Sequence, residues 1–247
     1  MRWNSEVKSQ LLLLLLFLIA PSACLYSQLS GKAARQDVLI TYIKKIYRLD
    51  DLIYQGRFYQ EEKPRAKGSP YFLEKENINA DLYIANRYFP HIPLYFNIVR
   101  GELVMQIPHG NYMKVFIALP AHLVDSFKID HHLFISSHYL PGERNENYFE
   151  EIYRGKLLYL MHYEKHFVEN YTPVNPNGFY SSASSILYIA EGENWTPCTN
   201  RRSFLKYFST NKSILRRFMR KQHIHFKKAS AIQLKALCAF ADKRLTE

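Results

Sequence analysis

Residues 94–107, LYFNIVRGELVMQI, decide how this chain is read. Apolar residues alternate through both halves, and Arg100-Gly101 sits between them as a two-residue turn in which Gly101 takes a positive φ. That loop predicts the pairs Ile98/Leu103, Phe96/Met105 and Leu94/Ile107 on a wholly apolar face. The opposite face, Val99/Glu102, Asn97/Val104 and Tyr95/Gln106, is mixed, as in a half-buried antiparallel sheet. The arrangement recurs in residues 148–161, YFEEIYRGKLLYLM, where Arg154-Gly155 places Ile152 opposite Leu157, and more loosely in residues 52–59, LIYQGRFY.

Around these hairpins, from Asp51 to Cys198, turn formers punctuate short apolar or alternating runs. They predict strands over 52–54, 71–73, 81–84, 94–99, 103–107, 113–119, 133–136, 148–153, 157–168, 185–190 and 195–198, with a long surface loop over 171–185. No helical pattern long enough for parallel crossovers separates these runs, so the expectation is a mainly β (α+β) chain: an antiparallel β-meander or half-barrel. Aromatic content, 19 Tyr, 16 Phe and 2 Trp, suits sheets. The period changes after Cys198. Asn200 caps a short helix carrying Phe204, Leu205 and Phe208, and Thr210 or Asn211 caps a second with Ile214, Leu215, Phe218 and Met219 on one side. Ser230 and Gln233 form a capping-box pattern opening a third, which presents Leu234, Leu237, Cys238, Ala241 and Leu245 at core spacing. These helices, residues 199–247, are expected to pack on the sheet.

The first 23 residues read as an export signal. Arg2 and Lys8 are basic, Leu11 to Ala20 is apolar, and Pro21-Ser22-Ala23 supplies a small-residue end. About ten apolar residues fall short of the roughly 20 that span a bilayer. Ser22-Ala23-Cys24 resembles the end of a lipobox, which predicts lipidation of Cys24; the rival is ordinary cleavage near Gln28. Residues 24–50 form an N-terminal segment in which 36–48 has a short helical stripe, with a strand as the alternative. Cys198 and Cys238 either pair in an oxidising compartment, joining the end of the sheet to the last helix, or are two small buried hydrophobes.

The chain resembles a group of uncharacterised exported proteins of Bacteroidota. The likeness lies in LIYQGRFY (52–59), KGSPYFL (67–73), HIPLYFNIVRGELV (91–104) and RRSFLKYFSTNKSILRRFMRKQHIHFKK (201–228), and covers most of the chain after the signal. The group has a Tyr-Asp-Gly-type turn near 83–87, where this chain reads Tyr-Ile-Ala-Asn-Arg. The resemblance implies export and a β-rich body, and it carries no activity and no catalytic residue.

Catalytic signatures are absent from the sequence: there is no nucleophile elbow around Ser181, Ser182, Ser184 or Ser185, and no HExxH or Cys-rich metal pattern. His122, His131, His132 and His138 are the densest histidine group, and adjacent His131 and His132 on a strand would face opposite ways without a turn. The acid pairs Glu61/Glu62 and Glu150/Glu151 are each read as one inward and one solvated carboxylate. No cofactor or metal is expected. Charge is the better lead. Between Thr199 and Glu247, 13 Lys and Arg face only Asp242 and Glu247, so this segment holds the whole net charge of +11. Arg216, Arg217, Arg220, Lys221, Lys227 and Lys228 are the candidate anion-binding residues. For an exported protein, in the periplasm or at the outer membrane, the partners are anionic glycan, lipopolysaccharide or a membrane surface. The expected function is that of a non-catalytic envelope structural or binding protein. A glycan hydrolase is the alternative, and a nucleic-acid-binding protein the second alternative should the signal reading fail.

Overall fold

The computed structural model describes residues 56–74, 78–109, 113–142 and 147–245. The signal segment, Cys24, the 36–48 stripe and the 52–54 strand lie outside them. The strands are β1 (Arg57–Phe58), β2 (Asn79–Ile84), β3 (Arg87–Asn97), β4 (Glu102–His109), β5 (Met113–Ala118), β6 (Val124–Ile129), β7 (His132–Ser136), β8 (Tyr148–Arg154) and β9 (Leu158–Glu164). They continue with β10 (Phe167–Val168), β11 (Phe179–Tyr180), β12 (Ser184–Glu191) and β13 (Asn194–Cys198). Eleven form one antiparallel sheet in the order β1-β5-β4-β3-β2-β6-β7-β8-β9-β12-β13, while β10 and β11 pair as a separate ribbon inside the expected 171–185 loop region and its approach. Three helices follow, α1 (Arg201–Tyr207), α2 (Lys212–Lys221) and α3 (Ala231–Lys243). The mainly β meander with a small C-terminal helical segment is what the punctuation predicted.

The sheet curls. Strands β3 and β8 are four places apart in the sheet order, about 19 Å if it were flat at ~4.8 Å per strand. Yet the rings of Phe96 on β3 and Tyr148 on β8 lie 5.6 Å apart, centre to centre. Phe127 and Phe134 stack at 4.8 Å beneath them, and Phe72, from the segment before β2, meets Phe134 at 5.1 Å and Tyr163 at 4.8 Å. This aromatic core fills the concave face. Tyr159, Met161 and Tyr163 alternate along β9 and so share that face. Tyr163 touches the aromatic core, while Tyr159 and Met161 pack with Phe204, Leu215, Leu237 and Cys238 of the helices. The helices therefore cover one end of the same concave face.

Several expectations need correction. The first hairpin closes with a four-residue loop, 98–101, so Phe96 pairs with Leu103 and Leu94 with Met105. The cause is Asn97, whose Oδ1 accepts hydrogen bonds from the N–H groups of Val99 (3.0 Å) and Arg100 (3.1 Å) and turns the chain early. The second hairpin closes with three residues, 155–157. Tyr153 pairs with Tyr159, and Ile152 sits at a bulge rather than opposite Leu157. Residues 71–73 form a single antiparallel bridge, Tyr71 to Asn97, rather than a full strand. The carbonyls of Ser69 and Tyr71 accept instead from the buried Lys165 ammonium at 2.9 Å each, and Glu74 is its third partner at 3.1 Å. Lys165 also interrupts the expected 157–168 strand, leaving β9 and β10. Leu245, expected in the core, is 44% exposed.

Two features depart from the sequence pattern. Asp125-Ser126 break the alternation of strand β6; Asp125 accepts from Asn86 N–H at 2.8 Å and from Tyr139. Strand β3 begins at Arg87 and runs through Pro90 and Pro93. Pro90 fits there because it falls where the β2/β3 register shifts, between Ala80 and Leu82, and the next residue, His91, takes φ +55°. At the β2/β3 turn, Ala85 and Asn86 both take positive φ, the two-residue hairpin geometry, with no glycine.

Candidate functional site

The capping reading of the helices holds at both ends of the segment. Asn200 Oδ1 accepts from Ser203 N–H at 3.0 Å to start α1, and Ser230 Oγ accepts from Gln233 N–H at 3.2 Å to start α3. Asn211 precedes α2 without capping it; its side-chain amide donates to the Arg244 carbonyl at 3.0 Å and ties the start of α2 to the end of α3. Helix α2 ends in a Schellman turn. His223 takes φ +50° and donates to the Arg220 carbonyl, and Ile224 donates to the Met219 carbonyl at 2.8 Å. This is a more specific role for His223 than the dipole complement a basic terminus would supply.

Between α1 and α2 lies an open cleft of about 670 Å³ lined by Arg201, Arg202, Leu205, Lys212, Arg216 and Arg220. Lys212, Arg216 and Arg220 recur every four residues and form one stripe of α2. Arg201 and Arg202 open α1. Electrostatically the arrangement is unfavourable in three ways. Like charges four apart on a helix repel. Cations occupy the first turns of α1 and α2, where the helix dipole is already positive and no acid is present. Among the described residues, no carboxylate pairs with any of these five cations. The apolar side of the same segment is firmly committed: Phe204, Leu205, Leu215 and Met219 are buried.

Of the six candidate anion-binding residues, the structure brings only Arg216 and Arg220 into this cleft. Arg217 and Lys221 stand on the neighbouring stripe of α2. Lys227 lines a separate hollow of about 270 Å³ with Cys198, Phe226 and Leu234, and Lys228 lies beside it in a single 3₁₀ turn. Sequence reasoning missed Arg201, Arg202 and Lys212. The signal was available in the i, i+4, i+8 spacing of Lys212, Arg216 and Arg220 and in the Arg pair directly after the Asn200 cap.

The remaining candidates resolve as structure. Glu150 is buried and accepts from Tyr163, with its other oxygen 2.6 Å from His132 Nδ1; Glu151 pairs outside with Arg154 at 2.7 Å. Glu62 pairs with Arg100 at 2.9 Å, whereas Glu61 lines a hollow among aromatic rings. Asp130 at φ +52° makes the turn that lets the rings of His131 and His132 approach to 4.0 Å. Among the described residues no three His, Cys, Asp or Glu are grouped to hold a metal, and no helix is long and apolar enough to cross a membrane. Cys198 and Cys238 are free thiols in the core that joins sheet and helices. Burial pushes the Cys198 thiol up to about 12, and holds the Cys238 thiol well above its ordinary range, with the nearby Cys198 and Asp242 charges adding to the latter effect. No family model matches the chain, and neither a curated protein nor a solved structure matches it.

Proposed function

We propose that this is an exported, non-catalytic protein of the cell envelope that binds polyanions, anionic glycan or lipid headgroups, through the α1/α2 cleft. The observation that carries the reading is the cleft itself. Five cations line it, three of them (Arg201, Arg202 and Lys212) in the first turns of two helices, without an acidic partner among the described residues. A bound anion offsets all three of the unfavourable terms at once, and its several charges would meet several guanidinium groups in bidentate geometry. Residues 1–23 supply the export half of the proposal.

The test compares two triple variants that lose the same charge. Arg201→Ala/Arg216→Ala/Arg220→Ala removes the cleft, and Arg217→Ala/Lys227→Ala/Lys228→Ala removes cations outside it. On a heparin column and on vesicles containing an anionic lipid, the cleft variant should lose about tenfold or more in affinity and much of its salt dependence. Equal losses from the two variants would reduce the site to bulk charge. The intact mass of the protein from its own envelope fraction tests export: a start at Cys24 with added acyl mass, or a clean start near Gln28, supports it. An uncut Met1 redirects the cleft to nucleic acid.

A further inference from the structure

Beyond the cationic cleft, a second hollow of about 460 Å³ lies over the β3–β5 end of the sheet, with opposite chemistry. Its walls are Tyr59, Tyr71, Tyr95 and Phe116, with Gln60, Glu61 and Gln106 as polar side chains and no cation in the lining. Tyr71 and Tyr95 stand 5.3 Å apart at 48°, and Tyr95 and Phe116 6.1 Å apart at 64°, so the three rings are inclined to one another rather than stacked. Their positions are fixed from behind. Asn97 Nδ2 donates to the Tyr59 hydroxyl at 2.9 Å, the Tyr71 hydroxyl reaches Tyr59 at 3.5 Å, and the Tyr95 hydroxyl donates to Gln106 Oε1 at 3.1 Å. Tyr71, Tyr95 and Phe116 remain half-buried, which leaves part of each ring open to the hollow.

We infer that this hollow binds an organic ammonium group, with the inclined rings of Tyr71, Tyr95 and Phe116 facing the cation and the Glu61 carboxylate as its counter-charge. Aromatic faces attract alkylammonium groups through their quadrupoles, and the attraction grows as water is excluded. Glu61 strengthens the assignment. It is partly withdrawn from water, which raises its carboxyl above the usual range, and among the described residues no cation pairs with it. Its neighbour Glu62 already has Arg100 as partner, so the two adjacent acids differ in what they lack. A neutral saccharide would use the rings and Gln106 but leave the Glu61 charge uncompensated.

Choline chloride titrated into the full chain by calorimetry tests this, with tetramethylammonium as competitor. Saturable binding at roughly millimolar choline is expected, weakened about tenfold by Glu61→Gln, which keeps the side chain's shape, and by Phe116→Leu. The arginine-cleft triple variant should bind choline as the parent does, which keeps this inference separate from the polyanion proposal. Phosphatidylcholine vesicles and a trimethyllysine peptide identify the source of the ammonium group, since the vesicle arm alone responds to a lipid headgroup. Absence of saturation by about 50 mM choline, an unchanged affinity in Glu61→Gln, or tighter binding of a neutral oligosaccharide than of choline would each overturn it.

Discussion

Arg100-Gly101 and Arg154-Gly155 stand at the ends of two hairpins in the same sheet, and each glycine is needed for a different reason. The first loop is shaped from within: Asn97 bonds two N–H groups inside its own turn, and Gly101 takes φ +64°. The second is shaped from outside. Asp242 on α3 accepts from Lys156 N–H and Leu157 N–H at 2.9 Å each, across 86 and 85 residues of sequence. Gly155 has no positive φ to accommodate; a Cβ there would lie 2.2 Å from Asp242 Oδ2 and 2.7 Å from the Tyr153 ring. The same dipeptide thus serves a local turn in one place and the docking of a helix in the other. It follows that the first turn is closed by a residue of its own hairpin, with Asn147 adding a bond to the Gly101 carbonyl at 2.9 Å, whereas the second depends on the helical segment that bears the cationic cleft.

Breaking the long-range contact should therefore cost more than breaking the local one. Asp242→Ala leaves the buried Leu157 N–H and the part-buried Lys156 N–H unbonded and is expected to destabilise by about 3 kcal/mol, read from urea unfolding. A second readout is specific to the helix. Cys238 lies one turn before Asp242 and is fully buried, so thiol labelling of Cys238 should accelerate in this variant as α3 loosens. Gly155→Ala pushes the same carboxylate away and should cost about 2 kcal/mol. Because both substitutions act on one set of bonds, the double variant should cost clearly less than their sum; simple additivity would show that Gly155 and Asp242 do not act together.

These contrasts also show what was legible in the chain. Strand existence and the buried face survived the wrong register of the first hairpin, because a shift of two residues keeps every side chain on its own face. Phe96, Leu94 and Leu103 are buried as the alternation required, though their partners changed. What escaped was set by single polar side chains reaching far along the sequence. Lys165 clamps the carbonyls of residues 69 and 71, and Asp242 sets the loop at 155–157. No periodicity announces either contact. The cationic site was half legible for the same reason: Arg216 and Arg220 share a helical stripe with Lys212, but the tertiary approach of α1 adds Arg201 and Arg202. Of the aromatic hollow only the nearness of Tyr95 and Gln106 was legible, since Glu61, Tyr71 and Phe116 lie on segments that only the tertiary structure brings to them.

The local hairpin provides the smaller effects and the sharper test. Asn97→Ala removes two loop hydrogen bonds and the donor to Tyr59, and should destabilise by about 2 kcal/mol without exposing Cys238 to labelling ahead of global unfolding. It also loosens the Tyr59 wall of the aromatic hollow, so choline affinity should fall while heparin binding stays. Gly101→Ala is the mildest. An added Cβ meets nothing closer than the Asn147 amide at 3.4 Å, so space is not the obstacle; the cost is the left-handed backbone, about 1 kcal/mol. Gly101→Asn should recover part of that, because asparagine tolerates the same φ. At position 155 the order should invert, since there the obstacle is space and Asn is larger than Ala. If Gly155→Asn were also better tolerated than Gly155→Ala, the two glycines would share one reason after all, and the distinction between a turn made locally and a turn held by a distant helix would fall.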